Sequence, residues 1–208
     1  MAIKIVDIDI VKAINSGLAD VVIHGCHCFC LMEHGIAKVL GDFSPELKKA
    51  DLNTKKGDAN KLGTYSHAVV PINGEPLVLI NGYTQFNYGK PHYRNSDGFN
   101  YDSFEMLLKR IIGRLGSKRK PEAKPLVFLM PFIGADRGNA DPDLIIGILE
   151  KHFEGEMLLV CVRRELDRRV KHKIVKYFDA SISEVDILNL INSDNSKEDN
   201  FAKITKSS

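Results

Sequence analysis

Ala19-Asp20-Val21-Val22-Ile23-His24-Gly25-Cys26-His27-Cys28-Phe29-Cys30-Leu31-Met32-Glu33-His34-Gly35-Ile36-Ala37-Lys38 runs from an apolar strand through a loop into a helix start. Val21-Val22-Ile23 is a continuous β-branched run, which suits a strand buried on both faces. Gly35-Ile36-Ala37 opens a helix, and a helix start offers free N–H groups and a partial positive charge to an anion, typically phosphate. A strand, loop and helix in this order is equally an ordinary structural turn, so the rest of the chain has to decide.

Outward from this segment, Val- and Ile-rich runs predict further strands at Ile3–Ile8, Thr64–Val70, Leu77–Asn81, Leu126–Met130 and Met157–Val162. Helical spacing lies between them. Leu107, Leu108, Ile111, Ile112 and Leu115 form one stripe, with Asp102 and Ser103 as its expected cap, and Leu144, Ile145, Ile148 and Leu149 form another. Gly35–Leu40 begins a short helix, and Ser44-Pro45-Glu46 opens the next by capping. Strands alternating with helices predict a three-layer α/β/α fold around a mixed central sheet. Such folds bind ligands at the carboxyl ends of their strands. Three loops fit that position: Cys26–His34, Asn81–Gly89 and Gly134–Ala140.

The chain has 208 residues, 44% apolar and 27% charged, which excludes a fibrous or wholly disordered protein. Its net charge of +2 argues against a dedicated nucleic-acid binder. Four cysteines are too few for a disulfide framework, and Cys26, Cys28 and Cys30 alternate too closely to bridge one another easily. The N-terminal residues carry no secretory signal, and no apolar run reaches membrane-spanning length, so a cytoplasmic protein without a membrane partner is expected. His24, Cys26, His27, Cys28, Cys30 and His34 could all ligate zinc, but their spacing matches no usual pattern. No metal and no cofactor are expected.

Residues 3–162 resemble the macro domain family, and in particular its phage and bacterial branch near the ADP-ribose 1″-phosphate phosphatases. The likeness is carried by His24-Gly25-Cys26-His27-Cys28-Phe29 with Gly35-Ile36-Ala37, by Ala50–Asp58, by Lys61–Ser66, by Ile80–Gly89 and by Met130–Ala135, in family order and spacing. The resemblance implies an ADP-ribose-type small molecule as partner. It places Asp9 at the adenine, unless Asp9 serves only to cap the next helix, and counts Ile10 among the ligand-binding residues. It assigns His27, Cys28, Gly35, Ile36, Ala37, Gly134, Ala135, Arg137 and Gly138 to the ligand loops. His24 stands where related phosphatases have a catalytic histidine, acting as base or nucleophile; otherwise it is a hydrogen-bonded structural residue. Asp141 is a second acid–base candidate. Lys61 lies where a branch that removes ADP-ribose from glutamate has a lysine nucleophile, and is otherwise a solvated side chain.

This sequence departs from the family pattern in the loops. His27 replaces an asparagine that holds the distal ribose, Glu33 replaces a glycine, His34 replaces a small residue, and Asp136-Arg137 enters the second glycine loop. A carboxylate 4–6 Å from a phosphate opposes it by about 3–4 kcal/mol before relaxation. Two readings follow: a domain that binds, and in one version hydrolyses, an ADP-ribose derivative, or a degenerate domain that works as a protein-binding or nucleotide-sequestering module. Beyond residues 1–162, a helical extension over 163–192 and a disordered tail over 193–208 are expected. Seven Lys or Arg stand against two acids in 163–176. That run reads as the solvated face of a helix packed through Leu166, Val170, Ile174 and Val175, with contact to nucleic acid or to an acidic protein partner as the alternative.

Overall fold

The computed structural model describes residues 3–87, 98–116, 125–134, 138, 140–153, 156–162 and 186. Among them, six strands form one sheet: β1 (Ile3–Asp7), β2 (Val21–His27), β3 (Tyr65–Ile72), β4 (Glu75–Gln85), β5 (Val127–Pro131) and β6 (Met157–Val162), in the order β1-β6-β5-β2-β4-β3. Neighbouring strands are parallel except β3 and β4, which pair antiparallel. Asn73 and Gly74 join that pair with φ of 53° and 87°. A two-residue hairpin twists with its strands only when both central residues are left-handed, which Asn-Gly allows. The expected mixed sheet is therefore present, and its antiparallel edge has a local cause.

The strands are apolar on both faces because helices cover both. Val21 and Ile23 face Phe104, Leu107 and Leu108 of α4 (Tyr101–Gly116) and Ile145 of α5 (Pro142–His152). Val22, between them, packs with Ile14 of α1 (Ile10–Asn15), Leu40 of α2 (Gly35–Phe43) and Leu47 of α3 (Pro45–Leu52). The three layers follow directly from this alternation.

Side-chain caps set the helix starts. Ser44 Oγ accepts from Leu47 N–H at 3.2 Å, as its position before Pro45 predicts. For α4 the cap differs from the expected Asp102 or Ser103: Asn100 Oδ1 accepts from Ser103 N–H at 2.8 Å, so the helix begins earlier. The extension and tail expected over 163–192 and 193–208 lie outside the described residues, Asp186 apart. No helix among the described residues is long and apolar enough to cross a membrane.

Candidate functional site

A cavity of about 460 Å³ opens across the carboxyl ends of β1, β6, β5, β2 and β4. Asp9 and Ile10 line it at one end, where β1 passes into α1; Thr84 and Gln85 line it at the other, where β4 ends. Four strand spacings separate these ends, roughly 19 Å, and the volume is that of a pocket for a sizeable small molecule. Gly134 and Gly138 form one wall, beyond β5.

The start of α2 forms the opposite wall. His34 occupies its N-cap position without a side-chain cap bond, and among the described residues no acceptor meets the N–H groups of Gly35, Ile36 and Ala37, all of which line the cavity. Every other α-helix start carries a cap: Asp9 for α1, Ser44 for α3, Asn100 for α4 and Asp141 for α5. Among the described residues, the helix start left without a side-chain cap is the one whose first three residues line the cavity. Gly134 holds φ at +79°, and a Cβ there would sit 2.6 Å from the Phe99 ring, so this wall admits only glycine.

The chain is 32% identical over 153 residues to an uncharacterized 17.5 kDa protein from the tk–vs intergenic region of Enterobacteria phage T4, covering 73% of this chain and 90% of that one. The two belong to one family. No family model matches the chain. Among solved structures, a Bacteroides thetaiotaomicron protein of unknown function superposes with a TM-score of 0.61 at 19% identity, over 78% of this chain and 99% of the other. The macrodomain of Mycobacterium tuberculosis DarG superposes with a TM-score of 0.53 at 17% identity, over 76% and 96%. Thermosipho africanus DarTG, solved in complex with ADP-ribose, gives 0.55 at 9% identity over 86% of this chain and 46% of that larger one. The chain has the macrodomain fold.

In this macrodomain the cavity gathers Asp9, Ile10, His27, Gly35, Ile36, Ala37, Gly134 and Gly138 from the residues the sequence singles out. Ala135 and Arg137 lie outside the described residues. Three others do not reach it. Cys28 is buried elsewhere and its thiol donates to Gln85 C=O at 3.5 Å. Asp141 is spent on capping α5, accepting from Asp143 N–H at 2.9 Å. His24, expected at the catalytic position, is wholly buried and does not line the cavity. Its Nε2 donates to Asn81 Oδ1 at 2.7 Å, and the amide orientation is fixed because Asn81 Nδ2 donates to Leu47 C=O and Ser66 Oγ, each at 3.0 Å. The structural role of His24 is therefore the one the geometry displays.

Lys61 is the larger correction. It is buried rather than solvated, 7% exposed. Its Nζ lies 3.6 Å from Asp51 Oδ1, 3.1 Å from Cys30 Sγ and 4.1 Å above the Tyr83 ring, and donates to Cys28 C=O at 3.2 Å. Tyr83 O–H donates to the same Asp51 oxygen at 2.8 Å. Asp51 lines the cavity, and nothing in the local sequence marks it, since Tyr83 is 32 residues away. Thr84 and Gln85, within the Asn81–Gly89 stretch expected at the strand ends, also line the cavity, as does Cys161, which the sequence does not single out.

Glu33 lines the cavity without plugging it and is exposed to solvent, which screens the opposition its charge would offer a phosphate. Cys26, Cys28 and Cys161 are thiols rather than nucleophiles. Burial raises the Cys161 and Cys26 thiols well above the usual range and pushes Cys28 up to about 11.

Two histidines make the fold acid-sensitive. Burial holds His24 below its ordinary value of 6.5, outweighing the Asn81 hydrogen bond and the Asp51 charge that act the other way. Burial likewise lowers His27, whose Nδ1 accepts from Phe29 N–H at 3.1 Å. In each case the unfolded chain takes up its proton at a higher pH than the folded one. Stability is thus complete above pH 6.5 and is lost as the pH falls toward the folded values. For His24 the loss approaches about 1.4 kcal/mol per pH unit, with the less buried His27 adding less. Urea unfolding measured at several pH values should show this slope, and His24→Gln should flatten it; an unchanged slope in that variant would assign the acid sensitivity elsewhere.

Proposed function

We propose that this macrodomain binds an ADP-ribose-type nucleotide across its strand ends. The adenine lies at Asp9 and Ile10, the diphosphate meets the start of α2 and the wall formed by Gly134 and Gly138, and the distal ribose lies toward His27. The observation that carries this reading is the start of α2, which has no side-chain cap and whose Gly35, Ile36 and Ala37, with no N–H partner among the described residues, line a cavity of nucleotide length. The shared fold with the ADP-ribose-bound Thermosipho africanus protein supports it. Were a derivative hydrolysed here, Asp51 is the buried carboxylate that reaches the cavity, whereas His24 and Asp141 do not.

Calorimetric titration with ADP-ribose tests the proposal: clear heat at micromolar ligand is expected, and silence up to millimolar would favour the protein-binding alternative. Asp9→Ala should separate two contributions. Asp9 Oδ1 accepts from Val11 and Lys12 N–H at 2.9 and 3.2 Å, so losing the cap should lower stability by about 1 kcal/mol. Losing an acceptor for the adenine amino group should also weaken binding roughly tenfold. Asp9→Asn, which keeps a capping oxygen, should restore the stability more fully than the affinity.

A further inference from the structure

Lys61 brings an amine to a thiol. Its Nζ donates to Cys30 Sγ at 3.1 Å and lies 3.6 Å from Asp51 Oδ1. Among the described residues, Cys30 is the cysteine with a lysine nitrogen at hydrogen-bond distance: Cys28 donates to Gln85 C=O, and Cys26 sits against His24 and Asn81. Cys30 also holds a left-handed backbone with φ of 55°, uncommon for a residue other than glycine. On its other side the sulfur lies 3.3 Å from Thr54 Oγ1, so the thiol is enclosed between Thr54 and the amine. Cys30 is 8% exposed and Lys61 7%, which screens the pair from bulk solvent without sealing it from a reagent the size of a peroxide. Neither side chain takes part in the nucleotide binding proposed above.

We propose that Cys30 and Lys61 form an oxidative crosslinking site, at which hydrogen peroxide joins Sγ to Nζ as a sulfenamide. In the first step the Cys30 thiol takes one oxygen from the peroxide. The O–O bond breaks, sulfur is oxidised by two electrons to the sulfenic acid, and the second oxygen leaves as water. In the next step the Lys61 ammonium gives a proton to Asp51 and its nitrogen attacks the sulfur. The S–OH bond breaks, and the departing hydroxide takes a second proton from nitrogen and leaves as water. The product carries one S–N bond in place of one S–H and one N–H. A sulfenic acid condenses with a thiol or with a nitrogen, and here the nitrogen is already in contact while the Cys28 thiol is turned to Gln85. Ammonium and carboxylate are neutralised together, so no lone charge is left buried. The link fastens the loop between β2 and α2 to Lys61, 31 residues further on. A thiol reductant undoes it by cleaving the S–N bond and restoring the amine.

Peptide mass mapping after brief treatment of the folded protein with hydrogen peroxide tests this. The expected product is lighter by two hydrogens, joins the peptides that contain Cys30 and Lys61, resists trypsin after Lys61 and reverts with dithiothreitol. Cys30→Ser, which leaves the Lys61–Asp51 pair in place, should abolish the link, whereas Cys28→Ser should retain it. The same treatment in concentrated urea should yield sulfinic acid instead, because the fold alone holds amine and thiol together. A disulfide between Cys28 and Cys30, a sulfenic or sulfinic acid without a crosslink in the folded protein, a bridge that retains an oxygen, or an unmodified Cys30 would each overturn the proposal. So would a crosslink formed as readily in urea.

Discussion

Lys61→Met is expected to remove about 3–5 kcal/mol of folding stability, among the largest losses open to a single side chain here. The reason is the partner left behind. The Asp51 side chain is 2% exposed and that of Lys61 8%. A carboxylate at that depth without its ammonium keeps only the Tyr83 hydroxyl, and water cannot replace the lost charge. A methionine fills similar volume, so the change tests charge rather than packing. Urea unfolding should show the loss directly, and a thermal midpoint lower by roughly 10 °C should accompany it. Asp51→Asn combined with Lys61→Met should recover much of the deficit, because the pair is removed together. A Lys61→Met protein within about 1 kcal/mol of the original would mean that the pair is not what holds this end of the sheet together.

The same network shows where reading the sequence stops. Strands were legible because the sheet is covered on both faces, and that turns Val21-Val22-Ile23 and Met157–Val162 into unbroken apolar runs. The start of α2 was legible because its chemistry is local: three consecutive backbone N–H groups and the glycine before them. Asn73-Gly74 carries its hairpin in two letters, so the antiparallel edge was open to the same kind of reading. The fate of Lys61 was not. Its contacts come from Cys30, 31 residues upstream, and from Tyr83 on β4, and only the assembled sheet brings them together. A lysine in a polar stretch such as Asp58-Ala59-Asn60-Lys61 carries no sign of burial. His24 illustrates the opposite error. Its place at a strand end marks it for catalysis by family likeness, yet it precedes Gly25 on the strand and its ring turns into the interior toward Asn81 instead of the cavity. A β-strand alternates its faces, and a one-residue difference decides between a ligand and a core residue. Gly25, Cys26 and His27 nevertheless line the cavity in succession, because it lies across the end of the strand, where the pairing register also shifts between Cys26 and His27.

Gly134→Ala should reduce nucleotide affinity roughly 100-fold, and the argument does not depend on knowing which nucleotide is bound. At φ of +79° an alanine is strained by about 1 kcal/mol relative to glycine. Its methyl would also lie 2.6 Å from the Phe99 ring and 2.9 Å from Ala140 Cβ, both buried, which adds the 1–3 kcal/mol typical of overpacking. The loop has two ways to respond. It can keep its position, and the whole penalty of about 2–4 kcal/mol appears as lost stability. Alternatively it can swing away, breaking the Ala140 N–H to Gly134 C=O bond at 2.9 Å, and the penalty is then charged to binding, because the wall must be rebuilt around the ligand. Phe99 and Ala140 are buried in the packed core, which makes the second course easier than displacing them. The expected signature is thus a melting temperature lowered by only a few degrees together with a large loss of ADP-ribose heat. The reverse pattern, intact affinity with a large drop in melting temperature, would show a wall held rigid by Phe99. Affinity and stability both unchanged would show that the backbone at Gly134 does not need glycine at all.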